Sequence, residues 1–298
     1  MLKSSSVVLA CSVLALASTA EAALTGADKL SAAYDLILSA QFDRADAALK
    51  TTCPPAPAEA CTVLEVVSMW WRIQLDPDNR SRDNLLNDRA RTSVKAAEAW
   101  IDRDPKSAEA WFYLAGSYAP LVQWQVLRGE RLGAVRNGNR IREALEHALQ
   151  LDPGMADAHF GIGIYQYYAD VASAAAKVVR WLLFLPGGDH VKGLQAIDTT
   201  RTSGDLLRAE ADYQRYVIDI WYEHTPDEAL AILRSLDARY PSNPIFLQRT
   251  AEMYDTYLHD TRASAAAWQT LIDRARSDRT YDAARVIALA ERKRRALF

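Results

Sequence analysis

Two cysteines, Cys53 and Cys61, are the residues of this 298-residue chain whose types and spacing point most directly to chemistry. They flank Pro54-Pro55-Ala56-Pro57-Ala58-Glu59-Ala60, a stretch whose prolines cannot continue a helix. In an oxidising compartment such a pair closes into a disulfide that staples one helix end to the start of the next. In a reducing one it stays as two buried thiols. Closing so short a loop contributes ~2–3 kcal/mol in the chain-entropy account of disulfides.

Other reactive groups are scattered. The histidines His147, His159, His190, His224 and His259 have no His, Cys or carboxylate partner at a ligand spacing such as HExxH, and there is no GxSxG. No metal, cofactor or catalysis is expected. The turn Leu185-Pro186-Gly187-Gly188-Asp189 has the glycines of a phosphate cradle but lacks GxxxxGK[ST] and a preceding strand. Asp189 as the N-cap of a following helix is the favoured reading.

What remains is chemistry of contact. There are 8 Trp and 13 Tyr, large rings that give binding area at small entropic cost when they stay exposed. Arg128, Arg131, Arg136, Arg140 and Arg142 cluster, with Glu130 and Glu143 between them. Such a patch suits an acidic partner or an anionic head group, which allows peripheral association with a cell envelope. The bland alternative is ion pairing along a wet helix face. The net charge of −3 argues against a nucleic-acid partner.

The elements that must position these residues are helices. Half of the chain is hydrophobic, Gly and Pro are sparse, and no long run alternates as a strand would. The first 22 residues differ from the rest. Lys3, the apolar run Val7 to Ala17 and the small-x-small site Ala20-Glu21-Ala22 form an export signal, which places 23–298 outside the cytoplasm, in the periplasm or envelope, as one domain. Cys11 has too short an apolar segment before it for a lipoprotein. The later apolar stretch Val178 to Leu185 is interrupted by Arg180 and is too short to span a bilayer.

Self-comparison gives the organisation. Asp104-Pro105-Lys106-Ser107-Ala108-Glu109-Ala110-Trp111-Phe112 recurs as Asp152-Pro153-Gly154-Met155-Ala156-Asp157-Ala158-His159-Phe160. In each copy an acid and a proline end one helix, and a small-residue run opens the next. Trp111, Leu114, Ala115 and Tyr118, with Ala148, Leu149 and Pro153, resemble the tetratricopeptide repeat family, and Ala263 follows Ala229 by one 34-residue unit. The copy from Trp111 to Pro153 carries about 14 residues more than that unit, which places an extended first helix through Leu121 to Asn137. Phe160-Gly161-Ile162-Gly163-Ile164-Tyr165 with Lys192-Gly193-Leu194 is similar to an exported bacterial group of that family, distantly similar to tetratricopeptide repeat protein 39.

The resemblance implies an all-α superhelix of about five helical hairpins, with Tyr281 to Phe298 as a C-terminal capping helix; the rival is an irregular helical bundle. It further implies a helical scaffold without catalysis, which is expected to hold a protein or peptide in its concave groove; the alternative, from the abundance of aromatic rings, is an envelope lipid- or glycan-binding protein. The family's groove positions fall here on Phe112; on Phe160, Ile164, Tyr167 and Tyr168; on Gln214, Ile218, Trp221 and Tyr222; and on Gln248, Glu252 and Asp255. At least two of the aromatic residues are expected to be exposed, and the groove to turn acidic toward its C-terminal end.

Overall fold

Aspartate–proline pairs end three helices, because proline cannot accept the helical geometry and removes the next N–H donor. Asp76-Pro77, Asp104-Pro105 and Asp152-Pro153 each follow directly on a helix end. Side chains start the next ones. Ser107 accepts from the Ala110 N–H, Asp189 from Lys192, Asn243 from Ile245 and Asp260 from Ala263, each satisfying a donor that the first turn leaves free. Asp189 is thus the cap that its position suggests.

The computed structural model describes residues 24–172, 177, 186–277 and 280–298. The export signal and the apolar stretch Val178 to Leu185 lie outside the described residues. Within them there is no strand and there are 13 α-helices: α1 (Ala27–Leu38), α2 (Phe42–Thr52), α3 (Ala58–Leu75), α4 (Asp83–Arg103), α5 (Ala108–Arg128), α6 (Arg131–Leu151), α7 (Ala158–Val171), α8 (His190–Ser203), α9 (Arg208–Ile218), α10 (Pro226–Arg239), α11 (Pro244–Thr256), α12 (Thr261–Arg276) and α13 (Ala283–Arg295). None of the described helices is long and apolar enough to cross a membrane.

Consecutive helices pack as pairs, from α1 with α2 to α11 with α12. Each pair also rests on the next, through α2 and α3, α4 and α5, α6 and α7, α8 and α9, and α10 and α11. Six pairs are therefore stacked among the described residues, one more than the sequence suggests, and α13 covers the last by packing on α12 through Trp268, Leu271, Val286 and Ala290. The expected long helix through Asn137 is not formed. Gly129, at φ +79°, closes α5 by donating to the carbonyls of Gln125 and Val126, so the extra length is divided between two 21-residue helices. The Cys53–Cys61 disulfide is present and joins the end of α2 to the first turn of α3.

The stack closes on itself. Trp71 on α3 is fully buried against Tyr213 on α9 (ring centroids 5.7 Å) and Phe246 on α11 (6.2 Å). At the α10–α11 turn, Asn243 Nδ2 donates to the Leu38 carbonyl at 2.7 Å and Ser242 Oγ to the Ser39 carbonyl at 2.6 Å. One buried cluster consequently runs from Leu24 to Met253. This corrects the expectation of an open concave wall: where first and last pairs meet, bulky rings fill the interior, since their burial outweighs what solvent exposure would return.

Candidate binding surface

Two glycines set the base of the site. A Cβ on Gly193 of α8 would stand 2.7 Å from the Tyr167 backbone nitrogen of α7, and one on Gly163 would stand 2.7 Å from the Gly193 carbonyl oxygen. The α7 and α8 backbones therefore cross at a distance that only glycine allows. This crossing buries Tyr167 completely and leaves Tyr168 beside it half-buried.

The second part of the site is a π-helical turn, Asp219–Glu223, at the end of α9. Asp219 anchors it: its side chain is 1% exposed and Oδ1 accepts from Arg215 Nε at 2.8 Å, while its carbonyl accepts from the Thr225 N–H at 2.9 Å. Burial pushes the Asp219 carboxyl upward, against the pull of Arg215. Ile220 points inward. The extra residue of the wide turn then rotates the chain, and His224, at φ +56°, ends it. As a result two adjacent rings face solvent, Trp221 at 64% and Tyr222 at 43% exposure.

Those rings are held, not loose. Tyr222 meets Tyr167 edge-on at 5.8 Å and Tyr168 at 5.4 Å, and Trp221 meets Tyr257 at 6.4 Å. Such perpendicular contacts suit the ring quadrupoles. The Tyr167 hydroxyl donates to Glu223 Oε1 at 2.5 Å, and its burial, with the Glu223 charge, raises its pKa far above the usual tyrosine range. Beside this lies His190, whose Nδ1 is 2.6 Å from Asp170 Oδ2. The hydrogen bond to Asp170 raises the His190 pKa and lowers that of Asp170, and the Glu223 charge adds to the effect on His190.

Neither a family model nor a curated protein matches this chain.

The expected groove residues do not form one surface. Trp221 and Tyr222 come together as an exposed ledge, with half-buried Tyr168 beside them and Tyr167 as the buried support. Phe112, expected in the groove, is instead 5% exposed and edge-on to Tyr113 in the main core. Tyr167 and Ile218 are likewise buried, and Phe160 and Ile164 pack against them. Gln214 is half-buried. Gln248 donates to Glu252 at 3.2 Å, and Arg249 pairs with Glu252 at 2.6 Å, so the acidic character expected there rests on exposed Asp255. Tyr257, at the end of α11, belongs to the ledge and had no signal of its own in the sequence.

The arginine cluster is also divided. Arg128 is 9% exposed, bonded through Nε and Nη2 to Asp83 at 2.7 and 2.9 Å and through Nη1 to the Pro77 carbonyl. Although burial works the other way, the Arg128 guanidinium holds the Asp83 carboxyl below its usual range. Arg140 lies over the Tyr118 ring, and Arg142 lies over Tyr165 and pairs with Glu146. Arg131, Arg136 and Arg140 remain exposed. Among the described residues no group of three or more His, Cys, Asp or Glu is placed to hold a metal.

Proposed function

We propose that this chain is an exported, non-catalytic scaffold of the tetratricopeptide type that holds a protein or peptide partner on the ledge formed by Tyr168, Trp221, Tyr222 and Tyr257. The observation that carries this reading is the exposure of Trp221 at 64%, beside Tyr222, on a π-helical turn fixed by a buried aspartate. Large rings left in water on a rigid mount lose little entropy on binding, which is the arrangement of an interface hot spot. Stacked helical pairs and the repeat spacing support the family assignment, and the closed Cys53–Cys61 disulfide supports an oxidising compartment such as the periplasm or envelope.

Small ligands are less well served. Two clefts of about 250 and 200 Å³, one at Trp100 and Glu109 and one at Arg72 and Arg89, fall short of the roughly 300 Å³ at which drug-sized pockets begin. A glycan remains chemically compatible with exposed rings and is separated by experiment. Replacing Trp221 and Tyr222 with Ala weakens binding of a peptide or protein partner roughly tenfold or more while the melting temperature holds. Unchanged affinity, or quenching of tryptophan fluorescence by cell-wall fragments alone, overturns the reading.

A further inference from the structure

The α5–α6 turn carries an unusual concentration of aliphatic surface. Val126 and Leu127 in the last turn of α5 are 66% and 40% exposed, and Leu132 and Val135 in the first turns of α6 are 73% and 42% exposed. Leu85, 44% exposed, is brought to the same end because Asp83 at the start of α4 binds Arg128 at the end of α5. A Cβ on Gly129 would meet nothing within 4 Å, so the turn stands open at its apex. Leaving this much contiguous apolar surface in water is costly unless something covers it.

We propose that this tip is a docking element for a bilayer surface with anionic head groups. Charge complementarity selects the occupant. Exposed Arg131, Arg136 and Arg140 rise from the tip along α6, and exposed Arg80 and Arg89 lie on either side of Leu85 in the chain, against the exposed acids Glu130 at the apex, Asp78 and Asp88. Aliphatic side chains at a point, with guanidinium groups set back from it, match a bilayer in which the apolar groups enter the head-group boundary and the cations meet lipid phosphates. The shape argues the same way. The surface is a convex turn of leucine and valine, without the aromatic anchors or receiving pocket on which protein partners depend. Apolar insertion and cationic attraction are each weak alone and together hold a protein reversibly at a membrane. The inference does not depend on the aromatic ledge.

The test is co-sedimentation of the purified protein with vesicles. The protein binds vesicles of mixed phosphatidylcholine and phosphatidylglycerol, less with added salt, and less still to phosphatidylcholine alone. V126D with L132D lowers the partition roughly tenfold or more, and R131Q with R136Q removes the preference for phosphatidylglycerol, with the melting temperature unchanged in both. A polarity-sensitive dye on L132C shifts to the blue on vesicle addition, whereas the same dye on L151C, at the other end of α6, does not. The proposal fails if the unaltered protein does not sediment or if the dye at L132C does not respond. It fails too if V126D with L132D lowers the melting temperature, since the tip is then covered by the chain itself. Vesicle binding that survives V126D with L132D while a protein partner is lost makes the tip a protein contact and also overturns it.

Discussion

The Tyr34 hydroxyl donates to Glu210 Oε2 at 3.0 Å across 176 residues of chain. The bond ties α1 to α9, and Glu210 is 5% exposed. Burial is the main reason that its carboxyl titrates above the ordinary glutamate range, against the pull of its hydrogen bonds. A carboxyl with a raised native pKa binds its proton more tightly folded than unfolded, so its contribution favours folding at low pH. That contribution is lost as pH rises from the unfolded value through the folded one. Replacing Glu210 with Gln keeps an acceptor for Tyr34 and removes the titration. The melting temperature of the original protein, relative to that of the Glu210→Gln variant, therefore falls between pH 4 and neutrality, as thermal scans across that range would show.

Closure also separates two tryptophans by their energetic role. Trp71 is fully buried between Tyr213 and Phe246. Trp71→Ala is expected to cost about 3–5 kcal/mol in urea unfolding, the range for deleting a large core side chain. Trp221→Ala, in an exposed ring, is expected to change stability by roughly 0.5 kcal/mol or less. Equal losses would mean that the inner rings do not hold the two ends of the stack together.

The α7–α8 crossing has no room for a methyl group. Gly193→Ala forces the backbones apart and is expected to destabilise by about 1–3 kcal/mol. It also displaces Tyr167, on which Tyr222 rests. Its near-ultraviolet circular dichroism changes along with its stability, whereas an exposed substitution on α8, such as Gln195→Ala, changes neither.

His190 gives the ledge a local pH response. Asp170 stabilises the protonated ring, so the folded pKa lies above that of a free histidine. The pairing is fully present below the unfolded pKa and is lost as pH rises through the folded one. NMR titration of the His190 ring reports a raised pKa, and Asp170→Asn returns it toward the ordinary value. A titration that Asp170→Asn leaves unchanged contradicts the pairing.

Much of the architecture was legible because it is local. Asp-Pro pairs, Ser, Asn and Asp caps and small-residue runs act within a turn or two of helix, and the boundaries at Arg103 and Leu151 follow from them. Residues 108–151 divide into two helices at Gly129 and not beyond Asn137 as the repeat length implied, since the break turns on the left-handed conformation of Gly129. The site was half legible. Counting Gln214, Ile218, Trp221 and Tyr222 as one face assumes an uninterrupted α-helix. The π-helical turn breaks that periodicity after Ile218, so Ile218 is buried while the next aromatic pair turns outward. Closure was not legible at all. Whether Trp71 faces a groove or another ring depends on superhelical curvature, the sum of small rotations at every pair, and no short segment encodes it.

The central claim is that partner contact runs through the ledge at Tyr222. A photoreactive residue at position 222, compared in cells with the same residue at exposed Ala231 on α10, tests it most directly. The account predicts one defined cross-linked partner from position 222, lost when Trp221 is replaced by Ala, and none from position 231. Equal capture from both positions, or capture that survives Trp221→Ala, would contradict it.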